Sequence, residues 1–334
     1  MKESLYYKVN DFERESVKCE LCPHNCVIAS EKTGVCRIRK NIDGKLFSLT
    51  YGKFTSIAVD PIEKKPLYHF YPGSKIFSIG TLGCNFRCDF CQNYEISQSE
   101  FNERIVRDVS PEYAVSLARE NNSIGIAYTY NEPLINYEWL KETAALSAKK
   151  GLKNVLVSNG FINETPLYNI IDNIDAANID VKSFRDDFYK KYCFGRLDPV
   201  LRTVEILVKQ CKHVEITTLL IPGLNDSDAE INDIADWVSS LNDEIPFHLS
   251  GYFPQYRMNI PVTPLDTLKK AQDIASRKLK FVYIGNVPSN ETNYTYCPKC
   301  KNILIRRNGY ETVVSGISEG RCTNCGYHIS SIVL

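Results

Sequence analysis

Eleven of the thirteen cysteines in this 334-residue chain fall into three tight groups, each spaced like a metal site. The central group is Gly83-Cys84-Asn85-Phe86-Arg87-Cys88-Asp89-Phe90-Cys91, a C-x3-C-x2-C loop. Three thiolates crowded into so short a stretch can hold three irons of a cubane, whereas an ordinary cluster is held by four cysteines. The fourth iron is then open to an exogenous ligand, as in a catalytic metal site that keeps one position free. A zinc ion completed by a distant side chain, or a four-cysteine electron-transfer cluster, is the alternative reading of the same loop.

The other two groups are complete by themselves. Cys19, Cys22, Cys26 and Cys36 offer four thiolates for zinc or an auxiliary iron–sulfur cluster, and ligand softness alone does not separate the two. Pro23 and Gly34 permit the tight turns such a loop needs, and His24 is expected as a neighbour because four cysteines already suffice. In the tail, Cys297-x2-Cys300 and Cys322-x2-Cys325 stand 21 residues apart, the pattern of a four-cysteine zinc ribbon. Lys299, Lys301, Arg306, Arg307 and Arg321 form a local basic set. They lack the interleaved aromatic residues that stack on bases, so a structural or docking role is expected ahead of nucleic-acid binding. Cys193 and Cys211 stand alone and read as small buried side chains.

Short β-branched runs alternate with amphipathic stretches between Lys75 and Val287. Strands are expected near 75–82, 124–129, 153–158, 176–182, 213–221, 246–252 and 280–286. Helices are expected near 111–121, 135–150, 163–173, 198–211, 227–241 and 263–278, several opened by capping pairs: Ser110-Pro111, Asn163-Glu164, Ser227-Asp228 and Thr263-Pro264. Such alternation means βαβ units and a parallel sheet. The fold class is therefore α/β, a partial (β/α)6-type barrel with its chemistry at the C-terminal ends of the strands, the end where the cluster loop sits.

Three parts follow: a Cys-rich N-terminal segment 1–74, turn-rich and without the periodicity for an independent core, the barrel 75–292 and the ribbon 293–334. The 40 basic and 40 acidic side chains cancel, so no global field draws the chain to nucleic acid or an anionic membrane. Apolar runs such as Ile124–Ala127 and Leu219–Ile221 fall far short of the ~20 residues of a membrane span. The stretch from Met1 to Phe12 carries acidic residues and no apolar h-region, so no signal peptide is read. Clustered thiols fit a reducing compartment, and a cytoplasmic location is expected.

The central loop resembles the signature of the radical S-adenosylmethionine (SAM) superfamily, C-x3-C-x-aromatic-C, with Phe90 as the aromatic residue. The resemblance implies a 4Fe–4S cluster on Cys84, Cys88 and Cys91, SAM chelated to its open iron, a low-potential electron donor, and reductive cleavage of SAM to a radical that abstracts hydrogen from a substrate. Tyr128-Thr129-Tyr130-Asn131-Glu132-Pro133 is similar in place to the Gly-Gly-Glu-Pro segment of glycyl-radical-enzyme activases, without its two glycines, so that only Asn131 and Glu132 carry over. Ser158-Asn159-Gly160 and Asp180-Val181-Lys182 resemble the Thr-Asn-Gly and Asp-Leu-Lys turns that help hold SAM there. A solvated loop residue is the plain alternative for each taken alone. Lys182 suits a carboxylate and Asp180 an ammonium, hydroxyl or cation.

A closer resemblance runs through Asp60-Pro61-Ile62-Glu63-Lys64-Lys65-Pro66-Leu67-Tyr68-His69-Phe70 and Pro72-Gly73-Ser74, then the cluster loop and Ile126–Pro133. These look like the AmmeMemoRadiSam system radical SAM enzyme family, which implies association with Memo-like and AMMECR-like proteins. Lys64, Lys65 and His69 form a cationic and titratable group just before the first barrel strand; a solvated charged loop is expected ahead of a segment that closes over the barrel mouth.

Overall fold

The computed structural model of the chain describes residues 1–10, 15–287 and 293–334. The end of the Met1–Phe12 stretch and the expected junction at 292 and 293 touch residues 11–14 and 288–292, outside the described residues. The central sheet has eight strands in strict chain order: β1 (Ser56–Pro61), β2 (Lys75–Gly80), β3 (Gly125–Tyr128), β4 (Lys153–Ser158), β5 (Ala176–Asp180), β6 (His213–Leu220), β7 (Phe247–Gly251) and β8 (Val282–Gly285). From β2 to β8 the pairs are parallel, and β1 runs antiparallel to β2 at the edge. This is the α/β sheet of the radical partial barrel read from the sequence, with one extra edge strand inside the segment expected to be irregular.

Strands buried on both faces read as continuous apolar runs, and β3 is buried at every position. A side chain at Gly125 would stand 1.9 Å from the carbonyl oxygen of Lys153, so only glycine lets β3 lie against β4. Helices α1 (Pro111–Glu120), α2 (Tyr137–Lys149), α3 (Glu164–Ile171), α4 (Asp198–Lys209), α5 (Asp228–Leu241) and α6 (Leu265–Ala275) fill the connections. Ser110 and Ser227 cap α1 and α5 by accepting from Tyr113 N and Glu230 N. The other two expected caps act elsewhere. Asn163 donates its amide to Glu20 O, and Thr263 accepts from Tyr252 N while donating to Leu220 O, tying loops together instead.

The two faces of the sheet have different covers. Phe77, Ile126, Leu156 and Ile216 share the main core with the helices. On the opposite face, Ile76, Ala127, Val155 and Ala176 pack against Ile62, Leu67 and Phe70. The segment 62–70 therefore plugs the barrel, and it does so near the N-terminal ends of the strands, where Asp60 pairs in register with Ile76. Lys65 and His69 are buried there, neither solvated as expected nor closing over the mouth. Lys65 Nζ donates to Asp60 Oδ2 at 2.7 Å and lies 4.5 Å from the centre of the Tyr130 ring.

Glu215, near the start of β6, is wholly buried and anchors the plug. It accepts from Tyr68 N at 2.9 Å and His69 N at 2.7 Å, and meets His213 Nε2 at 2.9 Å and His248 Nε2 at 2.6 Å. Burial alone would push its carboxyl up; the hydrogen bonds from the two imidazoles outweigh this and hold it well below the usual carboxylate range.

The tail forms a three-stranded antiparallel sheet, Thr295–Tyr296, Ile303–Asn308 and Glu311–Val314, plus a two-stranded ribbon, Ile317–Ser318 and Arg321–Cys322. Its small core includes Phe281 and Tyr283 from around β8. Arg307, one of the expected basic set, is buried: it stacks 4.4 Å over Tyr68 and donates to Tyr68 O and Thr295 Oγ1. Cys211 also differs from expectation. It follows α4 in the left-handed region, φ 54°, and is exposed. No described helix is long and apolar enough to cross a membrane.

Candidate active site

After β2 the chain must turn sharply to present its thiols at the C-terminal edge of the sheet. Gly83 makes that turn at φ 84°, where a side chain would also stand 2.5 Å from Cys36 O; both facts demand glycine. Asn131 then fastens the turn. Its Oδ1 accepts from Thr81 N at 3.0 Å and its Nδ2 donates to Gly83 O at 2.7 Å, so its amide serves the loop.

The three thiols are reduced, with Cys88 buried and Cys84 and Cys91 partly so. Donors point at their sulfurs. Phe86 N lies 3.3 Å and Asn159 Nδ2 3.7 Å from Cys84 Sγ, and Ser97 Oγ lies 3.1 Å from Cys91 Sγ. Burial raises all three thiols except that a side-chain contact with Cys193 is the first cause for Cys88. A metal that needs the thiolate form reverses this, since ligation and deprotonation are linked. Spaced thiols with N–H donors on sulfur fit an iron–sulfur cluster.

The neighbouring strand ends converge on the loop. Glu132, buried after β3, accepts from Leu134 N at 2.9 Å, Ser158 Oγ at 2.8 Å and Asn159 N at 2.8 Å. It thereby joins the ends of β3 and β4, and burial raises its carboxyl to about 7. Asn159 continues to the loop, donating to Asn85 Oδ1 at 2.9 Å, while Asn85 Nδ2 donates to Phe161 O at 2.7 Å. Beyond β5, Lys182 Nζ pairs with Asp180 Oδ2 at 3.1 Å and lies 5.9 Å from the Phe90 ring centre. Phe90 itself is buried against Phe188.

The residues expected to meet SAM are thus gathered at one end of the sheet, in two kinds. Asn131, Ser158 and Asn159 spend their polar atoms on fixing the loops. Asp180 and Lys182 pair with each other beyond the end of β5, with Asp180 40% exposed in its side chain and Lys182 reaching inward beside Phe90. Two residues, Asn85 and Tyr189, went unnoticed in the sequence, and a third, Cys193, was read only as a small buried side chain. Asn85 sat inside the motif as a spacer, although its amide connects Cys84 to Asn159. Cys193 packs on Cys88 through a turn at Phe194, φ 59°, which has no local sequence signal. Tyr189 receives Lys182 N on its hydroxyl at 2.9 Å.

Residues 78–238 match the radical SAM superfamily. Over the full length of both chains, the protein is 40% identical to an uncharacterized protein of Methanocaldococcus jannaschii. It is 24% identical to the pyruvate formate-lyase-activating enzyme of Streptococcus mutans over 59% of this chain and 80% of that one. With the corresponding enzyme of Staphylococcus epidermidis the identity is 22%, over 65% and 92% of the two chains. With its three-thiol loop at the mouth of a parallel sheet and these relatives, the chain belongs to the radical SAM superfamily.

Proposed function

We propose that Cys84, Cys88 and Cys91 hold the superfamily's 4Fe–4S cluster and that Asp180 and Lys182 bind the SAM molecule beside it, with Glu132 joining the strand ends behind them. When bound, the cluster supplies the electron that cleaves SAM reductively to methionine and a deoxyadenosyl radical able to take hydrogen from a substrate. The carrying observation is the convergence of three strand ends on one loop, with hydrogen-bonded groups beneath and a partly exposed ion pair beyond β5. SAM carries an ammonium, a carboxylate and ribose hydroxyls, so the Asp180 carboxylate and the Lys182 ammonium each have a partner on it. Asn159, Asn85 and Asn131 act behind them by fixing the thiol loop, and Phe90 walls the site beside Lys182.

The protein is a radical SAM enzyme; its substrate is the open part of the reading. Activation of a glycyl-radical enzyme is one alternative, supported by the names of the relatives, and modification of a small molecule is another. The resemblance of Asp60–Phe70 supports the AmmeMemoRadiSam family on this reading, with Memo-like and AMMECR-like partners, a low-potential electron donor and a cytoplasmic location. The ribbon thiols take zinc. The N-terminal thiols take a metal as well.

Anaerobic reconstitution with iron, sulfide, SAM and a low-potential reductant tests the core of the proposal. Wild-type protein forms 5′-deoxyadenosine, and Cys88→Ala forms none while keeping its ribbon zinc. Normal nucleoside formation by that variant would refute the assignment of the loop.

A further inference from the structure

Two sets of four cysteines lie outside the active site, and their geometries differ. In the ribbon the four Sγ atoms all lie within 4.8 Å of one another, with Cys297 and Cys325 3.6 Å apart and Cys300 and Cys322 3.7 Å apart. A tetrahedral zinc with bonds near 2.3 Å brings its sulfurs about 3.8 Å apart, so this set is already closed on a single ion. Among the described residues, no three of Cys19, Cys22, Cys26 and Cys36 meet the same limit.

What these four thiols share instead is a cavity. All four line one enclosed pocket, together with Ile28, Val35 and Ile135. The cavity is small, about 10 Å3, with room for no more than one water. A body bonded to sulfur at ~2.3 Å, well inside van der Waals contact, reaches space that a non-bonded sphere does not. A cubane also sets its ligands further apart than one ion does, because each thiolate attaches to a different iron. The four thiols form no disulfide, and Arg39, itself buried and paired with Glu138 at 2.6 Å, lies on the same wall.

The cavity abuts the active-site loop from two sides. His24, on its wall, meets Asn85 O at 2.7 Å through Nε2, and Asn85 directly follows Cys84. On the other side Cys36 O presses against Gly83, the residue before Cys84. The N-terminal thiol set is therefore packed against the backbone that carries the first ligand of the active-site cluster.

We propose that Cys19, Cys22, Cys26 and Cys36 hold a second 4Fe–4S cluster, closed to outside ligands, which relays single electrons to the cluster on Cys84, Cys88 and Cys91. The relay step breaks and forms no bond: one electron enters from a low-potential donor protein of ferredoxin or flavodoxin type and leaves for the neighbouring cluster. The relay, though not the second cluster itself, rests on the active-site reading given above.

Metal analysis of the wild-type holoprotein separates the two possibilities without any substitution. The expected content is about eight irons and eight sulfides per chain, two cubanes, beside one zinc. Four irons with two zincs would overturn the proposal. A triple variant, Cys84→Ala, Cys88→Ala and Cys91→Ala, isolates the second site. It keeps four irons and, once reduced, gives an electron paramagnetic resonance signal that SAM does not shift; a triple variant without iron refutes the second cluster. If instead the triple variant keeps its cluster and the wild-type signals also ignore SAM, the active-site reading fails while the second cluster stands. For the relay, Cys22→Ala with Cys26→Ala retains the active-site cluster, and its reduction by reduced ferredoxin, followed by stopped flow, slows at least tenfold. His24→Leu, which leaves all four thiols in place, reports on the same step where the double variant does not fold, with a slowing of several-fold. Wild-type reduction rates in the folded variants would overturn the relay.

Discussion

At the N-terminal ends of the strands Glu215 is enclosed, receives two main-chain N–H groups and two imidazoles, and has no exposed surface. At the C-terminal ends Asp180, among the described residues, pairs with Lys182 and keeps 40% of its side-chain surface in solvent. The residue types are similar, carboxylates with nearby bases, but the first set is saturated and the second has capacity left. Saturation rigidifies and specifies a packing arrangement. Spare donors and acceptors at an opening are what a ligand can use. The comparison assigns stability to the plugged end and binding to the open end of the same sheet.

The largest expected effect lies at the plugged end. The ribbon core is small, and zinc binding to such units is worth ~10–16 kcal/mol. Cys297→Ser should therefore unfold residues 293–334, read as new cleavage sites in limited proteolysis, and lower the melting temperature because Arg307 no longer holds Tyr68. Unchanged protease resistance would break the assignment of zinc to the ribbon.

Next in size is Glu215→Leu, which leaves the His213 and His248 rings and two buried N–H groups without their acceptor. Removing one partner of a buried network costs about 3–5 kcal/mol, measured by urea unfolding of the reconstituted protein. The folded fraction should bind SAM normally. The pH dependence has a definite sign: because the folded carboxyl of Glu215 titrates below its ordinary value of 4.5, its stabilisation is complete above that pH and is lost as pH falls below it. Glu215→Gln should flatten that acid limb, and an unaltered limb would remove Glu215 as its source.

The smallest effect on folding, and the sharpest on binding, belongs to Lys182→Met. Loss of one charge-assisted hydrogen bond removes roughly 1.5–3 kcal/mol, a ten- to hundredfold weakening. Titration of SAM into the reconstituted variant, followed by the cluster's electron paramagnetic resonance, should show that shift with normal iron content and an unchanged melting temperature. Wild-type affinity would take Lys182 out of the site.

Periodicity made the barrel legible. The strand expected at 153–158 is observed at Lys153–Ser158, and the helix expected at 227–241 at Asp228–Leu241, because long βαβ units impose their burial pattern locally. The edge strand Ser56–Pro61 escaped notice since its inner face is polar at Asp60, whose partners Lys65 and Tyr130 lie in separate elements. His69 and Lys65 were read as solvated for a related reason: charge in a short loop reads as solvent-facing, and only the tertiary structure supplies Glu215 and Asp60 as buried partners. Within the active site, the thiols and the acidic and basic mouth residues announced themselves by type and spacing. The difference between Asn131, which braces the loop, and Lys182, which pairs with Asp180 beyond β5, depends on the direction of a side chain and is not written in the sequence.

The plug is tied from behind by the end of the tail: Val333 exchanges main-chain hydrogen bonds with His69 and Tyr71, and Ser331 meets His69 across 262 positions of sequence. During synthesis at roughly 5–20 residues per second, those contacts become available some ten to fifty seconds after the plug has left the ribosome. The barrel floor is therefore a late event in biogenesis, and the nascent chain carries its cysteines with that floor still unlatched.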